Sequence, residues 1–261
     1  METAITSTSN PTFKLLKKLT TKKGRREHNL CIIEGEKVIF ENLELIDQVF
    51  IIEGKQITPN LADLEPIVLS KKLFNEITDH VAPQGIFATC QIPICDFEGV
   101  KPCTYLILDR IQDCGNMGNI LRTAAAFGYS TIFAIDCADP FSQKSLRAGM
   151  ANQFKLNVID TDYIALEKLL QTEQFIDAQL FIADMGGVSV QSIEEHSPLS
   201  SPLGLVLGNE GQGISPQLLK LPHTKVSILM SNNVESLNVA TAGAILMFQL
   251  ANPSAKVKFD L

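Results

Sequence analysis

The sequence predicts an α/β protein of two domains, and the second domain is expected to hold a parallel sheet. Short apolar segments alternate with segments of helical periodicity along the 261 residues. In the second half the apolar segments are almost continuously hydrophobic, which is typical of parallel strands covered on both faces. The periodicity breaks at 96–103, and this break predicts a linker. The predicted domains are therefore 1–98 and 104–261, joined by a linker at 99–103.

The elements of the first domain follow from these patterns. Helices are expected from about Pro11 and near 36–43 and 71–77, with strands at 30–33, 49–52, 67–69 and 85–91. Such an alternation indicates a compact α/β unit.

The second domain shows a cleaner alternation. Strands are expected at 105–108, 131–135, 180–183, 203–207 and 226–229, with helices near 116–127, 141–151, 164–173 and 238–250. The sequence contains no internal repeat that would indicate another architecture.

Composition narrows the class of protein. Hydrophobic residues make up 45% and charged residues 20%, which are globular values. No apolar run is long enough to cross a bilayer, and the first ten residues lack the apolar core of a secretory signal. The six cysteines form no CxxC pair and the four histidines lie apart, which favours reduced thiols in a cytoplasmic protein without a metal site. Cys90 and Cys95 are close enough in sequence to pair, but packing as small apolar thiols fits better.

The charge is unevenly distributed. The net charge is −7, yet seven basic residues and no acidic residue lie within 11–26. A concentrated basic arm can hold phosphates even on an acidic body, so its residues are candidates for binding nucleic acid. The alternative is a solvated helix and loop. The residues singled out for RNA contact in this arm are Lys22, Lys23, Arg25 and Arg26.

Three polar or glycine-rich segments, at 115–124, 207–215 and 236–240, each adjoin a predicted apolar strand. Their groups are expected to converge at the strand ends, where α/β sheets place ligands. In order and spacing they resemble the three motifs of the SpoU/TrmH superfamily of RNA ribose 2′-O-methyltransferases. The resemblance covers roughly the last 160 residues. It implies a deep trefoil knot, one of the few exceptions to unknotted chains.

The first domain has a resemblance of its own. Segments 14–19, 23–27 and 33–35, with the Pro-Gln-Gly at 83–85, resemble the substrate-binding domain that precedes many SpoU catalytic domains. That resemblance implies a small ribosomal-protein-like α/β fold that contacts RNA. The alternative role is packing or dimerisation.

The superfamily resemblance also implies the site. It makes S-adenosylmethionine the cofactor, structured RNA the substrate (ribosomal RNA before transfer RNA) and a homodimer the assembly. The implied catalytic residues are Asn116, Arg122, Glu210, Ser236 and Asn238. The implied cofactor-binding residues are Leu207, Gly208, Gly213, Ile228, Met230, Ser236 and Leu237, and Arg147 is a further candidate for RNA contact.

The residues themselves limit what these groups can do. A guanidinium stays protonated in proteins, so we expect Arg122 to hold a phosphate beside the reacting ribose rather than to act as a general base. Simple helix capping remains an alternative for Ser236 and Asn238. The glycine segment lacks the third glycine of a dinucleotide fingerprint and the Gly-Lys-Ser/Thr ending of a Walker loop.

Two other functions remain as alternatives, a catalytically inactive RNA-binding protein of the same fold and a methyltransferase of transfer RNA. A hydrolase is not supported, because HExxH, GxSxG and Walker signatures are all absent from the sequence. Three residues depart from the superfamily pattern at positions that bear on local loop shape, namely Cys114, Gly149 and Leu229.

Overall fold

The computed structural model describes residues 4–79, 82–97, 100, 104–193, 202–231 and 235–251. The described chain divides into two compact units. The first comprises Met1–Pro93 and Asp139–Ala151, and the second comprises Ile94–Ala138 and Asn152–Leu261. Most of the predicted linker at 99–103 lies outside the described residues.

The first unit is built on a four-stranded mixed sheet in the order β1-β4-β2-β3. Strand β4 is antiparallel to both neighbours, and β2 and β3 are parallel. The elements are α1 (Pro11–Leu19), α2 (Lys22–His28), β1 (Leu30–Glu34), α3 (Glu36–Phe40), β2 (Ile46–Ile52), α4 (Pro59–Ala62), β3 (Ile67–Leu69), α5 (Lys71–Ile77) and β4 (Ile86–Gln91).

Helices α1 and α5 contribute to the core of this unit. The side chains of Leu16, Phe74 and Phe87 are fully buried, and the rings of Phe74 and Phe87 lie 5.0 Å apart. Helix α2 was not predicted. Its start is encoded locally, since Thr21 caps it by accepting a hydrogen bond from the Gly24 amide at 3.1 Å.

The second unit is built on a six-stranded sheet in the order β10-β8-β9-β5-β6-β7, and every pairing in it is parallel. The predicted parallel sheet is therefore confirmed. The remaining elements of the chain, of which α7 alone belongs to the first unit, are β5 (Thr104–Asp109), α6 (Cys114–Ala126), β6 (Thr131–Ile135), α7 (Gln143–Gly149), β7 (Asn157–Thr161), α8 (Tyr163–Leu170), β8 (Gln179–Ser189), β9 (Leu203–Gly208), β10 (Thr224–Ser227) and α9 (Val239–Leu250).

Three strands differ clearly from the sequence prediction, and one of them, β8, continues to Ser189 although it was expected to end at 183. Strand β7 was not predicted, because its single fully buried residue, Ile159, leaves no apolar run to detect. Strand β10 ends at Ser227 rather than at 229, and Leu229 beyond it is exposed. The register between β8 and β10 shifts between Lys225 and Val226, which pair with Ile182 and Val188. Residues 183–187 of β8 therefore have no pairing partner in β10.

The segment Asp139–Ala151 packs within the first unit although it follows β6 in sequence. The Gln143 side chain donates to the carbonyl of Ile77 at 3.0 Å, and Arg25 bonds to Asp139. The compact units therefore divide the chain differently from the contiguous domains that the sequence predicts, since α7 lies inside 104–261.

Helix α9 packs on β9 in the second unit. Its Gly243 lies against Leu207, where an added Cβ would stand 2.7 Å from the leucine methyl group. The small residues of this helix thus allow close packing inside the unit, while Ile245 and Phe248 are exposed on its outer face. Among the described residues, no helix has the length and apolarity needed to span a bilayer.

Candidate functional site

The three motif segments meet through the side chain of Asn116. Its amide nitrogen Nδ2 donates to Oε1 of Glu210 at 2.7 Å, and its Oδ1 accepts from Nδ2 of Asn238 at 2.9 Å. Asn116 lies in the first turn of α6, Glu210 in the loop after β9 and Asn238 at the start of α9. Residues separated by as many as 122 positions thus form one hydrogen-bonded chain, which we call the polar triad.

Local capping orients two members of the polar triad. Asp113 caps α6 by accepting from the Asn116 amide at 2.8 Å, which fixes the turn that carries Asn116. Asn238 caps α9, and its Oδ1 accepts from the Ala240 amide at 2.9 Å. The capping alternative for Asn238 is therefore correct and compatible with a place in the site, because Oδ1 caps while Nδ2 bonds to Asn116.

Arg122 lies on the exposed face of α6, two turns after the helix starts. It makes no hydrogen bond or ion pair with any residue that the structure describes. The opposite face of the helix is anchored by Ile120, Leu121 and Ala124, all fully buried. The helix is thus held in place by its apolar side, and the guanidinium is available to a ligand.

The loop after β9, which we call the glycine loop (208–213), is shaped by its own residues. The Asn209 Oδ1 accepts from the Gly211 and Gln212 amides at 3.0 and 2.9 Å, an Asx-type turn. Gly213 has φ +68°, and a Cβ on Gly208 would stand 2.7 Å from the Gly213 carbonyl oxygen. Any side chain at 208 would collide with the returning strand of the loop.

A cavity of about 330 Å³ opens beside the glycine loop. Its lining includes all seven residues predicted to bind cofactor, namely Leu207, Gly208, Gly213, Ile228, Met230, Ser236 and Leu237. Glu210 of the polar triad also lines it. The cavity lies at the carboxyl ends of parallel strands, the usual ligand position in such sheets.

Asp184 is a lining residue that the sequence analysis did not single out. It lies in the segment of β8 that leaves the ladder, and it bonds to Lys225 at 2.8 Å. The hydrogen bond from Lys225 lowers the pKa of the Asp184 carboxyl, which keeps it ionised. The signal available in the sequence was its position at the end of an apolar run.

Two further residues at the end of β5, Asp109 and Arg110, bond to the glycine loop region and were also missed. Asp109 is fully buried, and its carboxylate accepts from the Ser215 amide at 2.6 Å and from the Tyr163 hydroxyl at 2.8 Å. The guanidinium of Arg110 bonds to Gln212 and to the carbonyl of Gly213.

The basic residues of the first unit have different surroundings. Arg25 is 5% exposed, and its guanidinium donates to Asp139 Oδ2 and to the Leu19 carbonyl, each at 2.8 Å. The guanidinium of Arg25, which the sequence predicts to contact RNA, is thus already paired with a carboxylate inside the unit. The three other arm residues singled out, Lys22, Lys23 and Arg26, are exposed.

Arg147 is half-buried and bonds to Asp79 at 2.6 Å. It lines a cavity of about 310 Å³ in the first unit, together with Lys37, Gln84 and Gln143. Amide and cationic side chains are thus gathered around one opening.

Among the described residues, the cysteines form no disulfide bond. Burial raises the pKa of the Cys90 thiol to about 12 and that of the Cys137 thiol to about 11. Cys103 lies outside the described residues. Within the described ranges, no cluster of three or more His, Cys, Asp or Glu side chains is arranged to hold a metal ion.

Fold and site together define an α/β protein with a ligand cavity at the strand ends and a polar triad beside it. The family model described as "SpoU rRNA Methylase family" matches residues 104–248, and the model "MRM3-like substrate binding domain" matches 10–88. The chain belongs to the SpoU rRNA methylase family, a family of RNA 2′-O-methyltransferases.

Relatives cover nearly the whole chain. The 23S rRNA (guanosine(2553)-2′-O)-methyltransferase RlmP of Bacillus subtilis is 31% identical over 94% of this chain and 98% of its own length. The mitochondrial rRNA methyltransferase 3 of Xenopus tropicalis is 28% identical over 92% of this chain and 74% of its own. The crystal structure of an AdoMet-bound rRNA methyltransferase from Sinorhizobium meliloti superposes with a TM-score of 0.80 at 27% identity, covering 95% and 97% of the two chains.

Proposed function

We propose that this protein transfers a methyl group from S-adenosylmethionine to a ribose 2′-hydroxyl of ribosomal RNA. The observation that carries the proposal is the polar triad beside the 330 Å³ cavity, with the exposed guanidinium of Arg122 on the same helix as Asn116. The B. subtilis relative is named for a guanosine of 23S rRNA, which favours large-subunit ribosomal RNA as the substrate.

The cavity fits the cofactor chemically. The side chains of Leu207, Ile228 and Leu246 form an apolar lining suited to an adenine ring, and the close turn at Gly208 lets backbone groups approach a ligand. The carboxylates of Asp184 and Glu210 line the same space and suit a ligand that carries a positive sulfonium. When bound, the cofactor would supply that sulfonium-activated methyl group.

The chain's own residues would then orient the substrate. The fork of donors on the Arg122 guanidinium is suited to holding an RNA phosphate and thereby placing the 2′-oxygen. Asn116 keeps the carboxylate of Glu210, which lines the cavity, and the amide of Asn238 in fixed positions. Catalysis by such a site depends mainly on positioning.

RNA contact in the first unit is proposed for Lys22, Lys23 and Arg26, which are exposed, and for Arg147 beside its cavity. Exposed cations next to one another supply the phosphate contacts that dominate affinity for nucleic acid.

We also propose a cytoplasmic homodimer whose chains are knotted as in the family. The support for association is an apolar patch on the second unit, where Phe248 is 62% exposed and its ring lies 5.6 Å from that of Phe127. Light scattering at micromolar concentration tests this assembly, and a monomer would contradict it.

The test of the function combines binding and turnover. Isothermal calorimetry with S-adenosylmethionine in metal-free buffer should show binding, and saturating ligand should raise the melting temperature by mass action. Ribosomal RNA transcripts should then acquire 2′-O-methyl groups, whereas transfer RNA should not. If the titration shows no heat of binding and millimolar ligand leaves the melting temperature unchanged, the protein is instead an inactive RNA-binding protein.

A further inference from the structure

Arg110, the residue that follows β5, has an unusual backbone. Its φ is +58°, in the left-handed region that residues other than glycine, asparagine and aspartate seldom adopt. The long side chain thereby leaves the strand end and reaches across to the glycine loop, which belongs to the neighbouring strand β9.

Three hydrogen bonds join residue 110 to that loop. Its carbonyl accepts from Nδ2 of Asn209 at 2.9 Å, where the loop begins. Its Nη1 donates to Oε1 of Gln212 at 2.7 Å, and its Nη2 donates to the carbonyl of Gly213 at 3.2 Å, where the loop ends. Arg110, directly after the adjacent strand β5, therefore bonds to the glycine loop near its beginning and at its end.

The preceding residue fixes the position of Arg110. The buried carboxylate of Asp109 accepts from Nε of Arg110 at 3.2 Å and from the amide of Ser215 at 2.6 Å. Tyr163 donates to the same carboxylate at 2.8 Å. The side chain of Arg110 is 23% exposed and does not line the cavity. Any effect of Arg110 on a bound ligand is therefore transmitted by the glycine loop.

We propose that Arg110 is a positioning residue that sets the shape of the glycine loop and thereby the affinity of the cavity for S-adenosylmethionine. The inference rests on the proposed function, because it assigns the cavity to that cofactor. A loop with glycines at 208, 211 and 213 has many conformations open to it, and an external clamp reduces the entropy that is lost when a ligand orders it.

Arg110→Gly is the decisive variant. Glycine adopts the left-handed φ freely, so the backbone can be retained while the clamp is removed. The KM for S-adenosylmethionine should rise about tenfold, the scale expected for losing charge-assisted hydrogen bonds, while kcat stays within about twofold. Arg110→Lys, which keeps one cation that can reach Gln212, should recover part of the affinity.

Glu65→Gly is the matched control. Glu65 belongs to the first unit and has φ +45° with an exposed side chain. This substitution releases the same kind of backbone conformation and removes one charge, and it should leave KM and kcat unchanged. Gln212→Ala should also raise the KM for S-adenosylmethionine. In the double variant with Arg110→Gly, the fold increase in KM should be smaller than the product of the two single increases.

The outcomes separate the two proposals. If the parent protein binds S-adenosylmethionine and Arg110→Gly has the parental KM, the positioning role is wrong. The positioning role is also wrong if Arg110→Gly lowers kcat and the melting temperature together with the affinity, because that pattern indicates a general loss of structure. If the parent protein itself does not bind S-adenosylmethionine in calorimetry, the proposed function fails and the inference fails with it.

Discussion

Arg25 of the first unit and Arg122 of the second are both helical arginines, yet their surroundings are opposite. Arg25 is buried and bonds to Asp139 and to the Leu19 carbonyl. Arg122 is exposed, and among the described residues nothing bonds to it. A buried guanidinium with a carboxylate partner holds the structure together, whereas an exposed one on the helix that carries Asn116 of the polar triad is available for a substrate.

The largest expected effect comes from removing Arg122. Arg122→Ala should lower kcat about a thousandfold, the scale of deleting a preorganised charged contact at a reacting centre, with cofactor affinity nearly unchanged. The reason is that its contact is with the substrate and not with the cavity. Methyl incorporation under saturating cofactor measures the rate, and calorimetry measures the affinity.

Arg122→Lys sharpens this test, because it retains the charge and loses the bidentate fork. A substantial rate loss is expected for it as well. If both variants methylate RNA at the parental rate, Arg122 does not belong to the active site.

Arg25→Ala should act on stability instead. Removing one partner of a buried ion pair leaves Asp139 without its cation, at a cost of about 3 kcal/mol. Denaturant unfolding should show this loss, while Lys23→Ala, which removes an 86% exposed side chain from the same helix, should change stability little. Equal stabilities of the two variants would mean that the buried pair contributes nothing to the fold.

The contrast also shows which features the sequence could predict. Periodicity located most strands of both sheets, because buried parallel strands are continuous apolar runs. It missed β7, which contains a single buried residue, and it missed α2, whose sequence is almost entirely polar. The trefoil knot stays a prediction, since no local pattern encodes the threading of a chain.

Site residues were predictable where family motifs mark them. Asn116, Glu210 and Asn238 were selected from three separate segments, and the structure bonds them to one another. Asp184 and Arg110 were missed because their roles depend on a break in a ladder and on a positive φ, which are three-dimensional features. The buried partner of Arg25 was not predicted, because a run of charges does not reveal which of its members is paired inside the fold.

The smallest expected effect concerns the exposed cations of the basic arm, and it completes the contrast with Arg25. Combined alanine substitution of Lys22, Lys23 and Arg26 should weaken RNA binding about tenfold and reduce the salt slope of the affinity by about 2, because fewer counterions are released. The triple variant should keep the stability of the parent protein, unlike Arg25→Ala.

A matched variant replaces three exposed lysines elsewhere, Lys71, Lys72 and Lys168, and removes the same charge. Filter binding across a salt series distinguishes the two. An equal loss in both variants would show that net charge alone, rather than an RNA surface on α2, governs the affinity.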